Sequence, residues 1–307
     1  MYSLYEPGPP VLTEAVPLEV SDITSKLVKE REIHDRLNTK IERMRFHQDS
    51  AYTSEDSDSS APSADDEDAA AKIIFMLVGL PASGKSTICK QLNRYFNKHH
   101  FTSGIYNAGD VRRQLVSFEN SDFFDPNNAA GQREREHFAD ITVNNLVRDL
   151  NSGDIQIGFL DATNTTIMRR KRMVHKLVDE VDNPKIVVMN IQCNQPELVN
   201  FNIACKTKNA DYAERDYEEA INDFKQRSLH YIHMYEPITP RELVNYPIDL
   251  YIDYQNGGEV FDLNRFDHLN PKFMALMTKF KDSYEEKFGR EYLKRVNSFN
   301  NFIKNLA

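Results

Sequence analysis

Gly79-Leu80-Pro81-Ala82-Ser83-Gly84-Lys85-Ser86 sets two glycines, a lysine and a hydroxyl in the spacing G-x-x-x-x-G-K-[ST], the arrangement of a loop that cradles nucleotide phosphates. The chemistry needs those residue types. Glycines let the backbone wrap so that its N–H groups point at anionic oxygens. A helix starting at the loop adds the positive end of its dipole. Lys85 would place a charge on the β- and γ-phosphates, and Ser86 a hydroxyl on Mg²⁺. The nucleotide contacts expected here are Gly79, Leu80, Pro81, Ala82, Ser83, Gly84, Lys85, Ser86 and Thr87.

A second set of residues speaks to where the phosphate goes. Arginines recur after predicted strand ends: Arg112 and Arg113 in "NAGDVRRQL", Arg135 in "QREREHF", Arg169 and Arg170 in "DATNTTIMRR", Arg227 in "DFKQRSLHY". A guanidinium grips a phosphate with two parallel hydrogen bonds. Any one of these alone reads first as a solvated helix face; several on one edge would suit a phosphorylated acceptor. Asp161 closes the apolar run "IGFLD". A carboxylate there can hold Mg²⁺ or accept the proton of an attacking hydroxyl. As a helix N-cap it is a weaker candidate than Thr165 or Thr166, which directly precede the next helix. No NKxD-like guanine signature and no transporter signature is present.

The elements that must position these residues alternate. "KIIFMLV", "SGIYN", "IQIGFLD" and "PKIVVMNIQC" read as strands. Helical spacing follows each of the first three, with a long helix over "QREREHFADITVNNLVRDLNSG" closing at Gly153. Such alternation predicts a three-layer α/β domain with a mainly parallel sheet. Ligands of such sheets bind beyond the carboxyl ends of the strands. Gly79, Asn107, Asp161 and Cys193 all follow strands.

Composition divides the chain near Ala71. Residues 1–71 form an acidic arm in which "HQDSAYTSEDSDSSAPSADDEDAAA" has too little apolar surface to fold. Residues 21–46 have helix-compatible spacing. Ser54, Ser57, Ser59 and Ser60 lie among acids; they read as protein-kinase substrates or as a solvated linker. Residues 72–265 form the phosphate-binding domain, and 266–307 a C-terminal helical tail that packs on it or stands in for a partner domain.

The 307 residues carry a net charge of -9, which disfavours general nucleic-acid binding. Three cysteines without close pairing argue against a disulfide framework or zinc site and read as buried thiols in a reducing compartment. No apolar run approaches a membrane span, and the N-terminus has no secretory pattern. The expected location is the cytoplasm, with no membrane and no nucleic acid as partner.

"GLPASGKS", "NAGDVRR", "FFDPNN" followed by Arg135, "DATNTT", "QCNQPELVNFNI", "NADY" and "DFKQRSLHYIHMYEPI" occur together and in order. In this the chain resembles the kinase half of the 6-phosphofructo-2-kinases, over about residues 72–265. The resemblance implies a P-loop NTPase-type kinase domain that uses ATP and Mg²⁺ to phosphorylate the 2-hydroxyl of fructose 6-phosphate. The product would be fructose 2,6-bisphosphate, a regulator of glycolysis. Carried over by motif, Asp161, Lys206, Lys85 and Cys193 take catalytic positions, with Ser86 and Asp161 toward the metal. Asn202 and Lys206 join the ATP contacts. Arg112, Arg135, Thr163, Arg169, Arg227 and Tyr231 become the sugar-phosphate contacts. Cys193 and Tyr231 carry no such signal of their own.

The chain departs from the family pattern in places. Ile167 stands where an arginine often follows "DATNTT", and Val111 replaces an aromatic. The segment from Asn202 to Tyr212 is one residue short, which leaves Lys206 as the best match to a transition-state lysine and Lys208 as its rival. There is no Arg-His-Gly of a bisphosphatase domain, so the expectation is a kinase-only chain or a shortened form of a longer one, without bisphosphatase activity. Two alternatives stand beside the active kinase. One is a catalytically weak relative that binds nucleotide or sugar phosphate and regulates a partner; the other is a polynucleotide kinase. Partners expected are fructose 6-phosphate and a protein kinase acting on the arm, with a homodimer left open.

Overall fold

The computed structural model describes residues 71–116, 120–267 and 269–306. The expectations for the acidic arm, its 21–46 helix and its serines fall outside the described residues.

Strand β1 (Lys72–Val78) shows how the layers arise. Its side chains alternate, as the period-two geometry of a strand requires. Ile74, Met76 and Val78 face one hydrophobic cluster, Ile73, Phe75 and Leu77 another, and both are buried. The first cluster is closed by helices α3 (Ala129–Asn151) and α4 (Ile167–Glu180), through Val143, Leu146, Val174 and Leu177. The second is closed by α1 (Lys85–Lys98) and α8 (Pro271–Asp282), through Leu92, Phe96, Phe273 and Phe280. Aromatic packing consolidates this side: Phe96 stacks on Phe273 with centroids 5.4 Å apart, and Phe75 on Phe159 at 4.7 Å.

The sheet has six strands in the order β2-β3-β1-β4-β5-β6. The others are β2 (Ser103–Asn107), β3 (Ile157–Asp161), β4 (Pro184–Gln192), β5 (Leu250–Gln255) and β6 (Val260–Arg265). All pairings are parallel except β5 with β6. The fold is the expected three-layer α/β arrangement with a mainly parallel sheet. The layer does not stop at residue 265, because α8 completes the core beneath β1.

Three further helices border the carboxyl ends of the strands: α2 (Ala108–Leu115), α5 (Pro196–Lys206) and α6 (Tyr217–Met234). A short α7 (Pro240–Asn245) closes one flank with a capping box. The last helix, α9 (Arg290–Leu306), packs on α5: Val296 is buried with Leu198, Phe201 and Cys193, and the Phe201 ring meets Tyr292 and Phe299 edge-on. Among the described residues no helix is long and apolar enough to cross a membrane.

Candidate active site

The loop between β1 and α1 turns on two glycines whose backbone angles L side chains rarely adopt. Gly79 has φ 152°, and a Cβ there would lie 2.2 Å from the carbonyl oxygen of Ile191 on β4. Gly84 has φ 103° and caps α1. The Gly79 N–H donates to the Thr163 carbonyl (3.0 Å). Asn164, buried at φ 45°, donates its amide to Leu77 (2.7 Å). The segment "DATN" is thereby fastened to the phosphate loop.

Lys85 lies folded against that loop, donating to the carbonyls of Gly79 (2.8 Å) and Leu80 (2.5 Å). Burial pushes its ammonium down to about 7; Asp161 opposes that shift, and Lys206 and Arg227 add to it. Asp161 is buried at the end of β3, in register with Asn107 at the end of β2. Asn107 does two jobs. Its side-chain oxygen accepts from Asp110 N–H as the N-cap of α2 (3.0 Å), and its amide donates to Asp161 (2.5 Å).

One open cleft gathers Lys85, Ser86, Asp161, Thr163 and Lys206 with Arg112, Arg113, Arg135, Arg169, Arg227 and Tyr231. The convergence that sequence alone leaves open is therefore real. Lys206, the last residue of α5, lines the cleft, whereas Lys208 is exposed and outside it. Burial lowers the Lys206 ammonium, with Asp161 pulling it back up.

Aromatic rings and carbonyls hold the arginines in place. The Arg227 guanidinium sits 4.0 Å from the Phe124 ring centroid, and Arg135 lies over Phe123 and donates to its carbonyl. Arg169 donates to the Arg135 carbonyl (3.2 Å) and to Glu136. Burial pushes Arg112 and Arg135 down from the usual arginine range, though Asp211 counters this at Arg112. Arg170 belongs elsewhere: it is 1% exposed and forks onto Glu242 at 2.7 and 2.9 Å. It is a structural pair beneath α4, not a phosphate ligand.

Cys193 and Asn202 lie behind the loop rather than in the cleft. Cys193 lines a separate apolar hollow with Leu80, Pro81 and Ile191, and burial pushes its thiol up to about 12. Such a thiol is no nucleophile near neutral pH. Asn202 donates to the Ala82 carbonyl (2.9 Å) and accepts from Tyr292 of α9 (3.0 Å). Thr87 is exposed, and so is Cys205, so the reading of all three cysteines as buried is corrected for Cys205.

Sequence reasoning missed Asn107 as a partner of Asp161, and gave Asp211 no role beyond its place in a motif. The side chain of Asp211, 2% exposed, receives Arg112. Asn107 left one signal, its place directly after a strand; Asp211 left only a family motif.

The family model described as 6-phosphofructo-2-kinase matches residues 60–277. The chain is 34% identical over 185 residues to 6-phosphofructo-2-kinase 1 of Saccharomyces cerevisiae, covering 59% of this chain and 22% of that one. It is 31% identical over 205 residues to 6-phosphofructo-2-kinase/fructose-2,6-bisphosphatase 4 of Rattus norvegicus, covering 66% and 42%. The match therefore spans less than half the length of these curated relatives. A solved structure of Chaetomium thermophilum Kti12 with ADP-AlF3 is 13% identical, covering 69% of this chain and 98% of that one at a TM-score of 0.42.

Proposed function

The chain belongs to the 6-phosphofructo-2-kinase family, and from that premise we propose that it transfers the γ-phosphoryl of MgATP to the 2-hydroxyl of fructose 6-phosphate, forming fructose 2,6-bisphosphate and ADP. The observation that carries the reading is the single cleft in which the phosphate loop, Asp161, Lys206 and the arginines meet.

The loop and Lys85 hold the nucleotide phosphates. Arg112, Arg135, Arg169, Arg227 and Tyr231 hold the 6-phosphate of the sugar, and Thr163 lies beside Asp161 for the ring hydroxyls. Asp161 accepts the proton as the 2-hydroxyl oxygen bonds to phosphorus and the bond to the β-phosphate oxygen breaks. Lys85 and Lys206 offset the charge spread over the migrating group. Rate comes from positioning and electrostatics, since phosphoryl transfer leaves the protein little covalent work. Cys193 has no step here; its place behind the loop suits packing.

Among the described residues no three His, Cys, Asp or Glu gather as a metal site. The Ser86 hydroxyl and Asp161 carboxylate in one cleft do fit Mg²⁺, which takes few protein oxygens and completes its shell with water and substrate phosphates. When bound, the ion neutralises charge on the β- and γ-oxygens.

The reading of a weak relative draws on the shortened segment after Asn202. The position of Lys206 in the cleft supports turnover instead. The test is ADP release in the presence of each acceptor. Release should need fructose 6-phosphate and fall at least tenfold in Lys206→Ala; release with a 5′-hydroxyl oligonucleotide instead would overturn the reading. Phosphorylation within residues 54–60 and a homodimer remain sequence-based proposals, tested by kinetics before and after phosphorylation and by mass in solution.

A further inference from the structure

Asp211 is a carboxylate with three guanidiniums around it. Arg112 Nη2 donates to both of its oxygens at 2.6 Å. Arg113 and Arg227 approach Oδ2 at 3.5 and 3.7 Å. These arginines come from two different helices, α2 and α6. All three line the cleft. Like charges so close repel strongly where water is scarce, and the buried carboxylate is what lets them share one wall.

Asp211 is itself firmly held. It sits in a 3₁₀ turn (Ala210–Tyr212) whose cap, the Asn209 side chain, accepts from Asp211 N–H at 2.9 Å. Next to it, Tyr212 is buried against Ala82, Ile203 and Phe224 and donates to Asp223 (2.8 Å). Asp223 also accepts from Ser121 N–H (2.7 Å), which ties the turn to the segment carrying Phe124 under Arg227.

We propose that Asp211 is a positioning residue for acceptor binding: it aligns Arg112, Arg113 and Arg227 as one anion-gripping wall and sets the charge of that wall. Arg112, Arg113 and Arg227 share this one buried carboxylate, and Arg113 is also paired with the exposed Asp110; the wall stays net positive, as gripping a phosphate monoester of roughly two negative charges near pH 7 requires. Asp211 touches no reacting atom, so it acts on sugar-phosphate binding rather than on the transfer step. This rests on the reading of fructose 6-phosphate as acceptor.

Asp211→Asn keeps the shape but removes the charge, and turns an amide N–H₂ toward cationic donors. The expected result is a KM for fructose 6-phosphate raised about tenfold or more, the scale of a lost charge-assisted hydrogen bond, with kcat and the KM for ATP nearly unchanged. Calorimetry with fructose 6-phosphate should show the same loss of affinity. Asn209→Ala keeps the carboxylate but frees its turn, so it decides the matter if the first variant does not fold; a smaller rise in the same KM is expected. An unchanged or lowered KM overturns the proposal, since it would mean that Asp211 merely subtracts charge or packs. A wild-type chain that binds ATP but no fructose 6-phosphate overturns the acceptor reading and the proposal with it.

Discussion

The side-chain amide of Asn107 donates to the carboxylate of Asp161 across 2.5 Å, joining the ends of two strands paired in register. Because the other end of the same carboxamide caps α2, the amide cannot turn over without losing the cap. One carboxylate oxygen is thereby fixed, and its partner oxygen is aimed by the same contact.

Asn107→Ser separates the two roles, since serine still caps a helix but is too short to reach Asp161. The variant should fold with an unchanged melting temperature and lose about tenfold in kcat, the scale of a hydrogen bond to a charged group. Unchanged kcat in a folded variant would remove Asn107 from the account.

Lys85 gives a pH dependence with a definite sign. Its ammonium is lowered to about 7 by burial, and nucleotide phosphates raise it again on binding. Between that value and the higher one of the complex, binding takes up a proton, so nucleotide affinity should fall as pH rises above about 7. Calorimetry of ADP at pH 8 in buffers of different ionisation enthalpy should read proton uptake, and Lys85→Met should abolish it. Proton release, or none, would contradict the assignment.

Tyr292 links the C-terminal helix to the phosphate loop through Asn202 and Ala82. Tyr292→Phe should weaken nucleotide binding about two- to tenfold, as loss of one neutral hydrogen bond allows. Fructose 6-phosphate binding should stay as it was. Equal nucleotide affinity in variant and wild type would leave α9 a packing element only.

The buried fork of Arg170 on Glu242 predicts stability rather than affinity. Glu242→Gln should cost about 3–5 kcal/mol, because it leaves a guanidinium buried without its counter-charge. Urea unfolding measures this. A raised KM for fructose 6-phosphate with normal stability would instead return Arg170 to the cleft.

Much of this was legible in the sequence where a local rule governs. The phosphate loop is set by spacing, and β1 by an apolar run between turn signals. Thr166 was readable as the cap of α4, and its side chain accepts from Arg169 N–H. Strand β5, "LYIDYQ", left a fainter mark: all six residues are buried, yet Asp253 and Gln255 interrupt its apolar character. Arg170 and Arg169 are neighbours of one type, and only tertiary packing sends one to Glu242 and the other to the cleft. Asp211 reads as an ordinary turn residue until Arg112, 99 positions away, arrives beside it. Cys193 and Asn202 entered through family resemblance alone, and their place behind the loop is a matter of how α5 and α9 pack.

Phosphoryl transfer to a sugar hydroxyl in a cleft built on Asp161 can be tested at its product. The most direct test is identification of the product formed from MgATP and fructose 6-phosphate by phosphorus NMR, with Asp161→Asn as control. The expected product is fructose 2,6-bisphosphate, recognisable by its acid-labile 2-phosphate, with a loss of at least about a hundredfold in the variant, the scale of a missing general base. ATP hydrolysis without a phosphorylated sugar, or equal product from the variant, would contradict it.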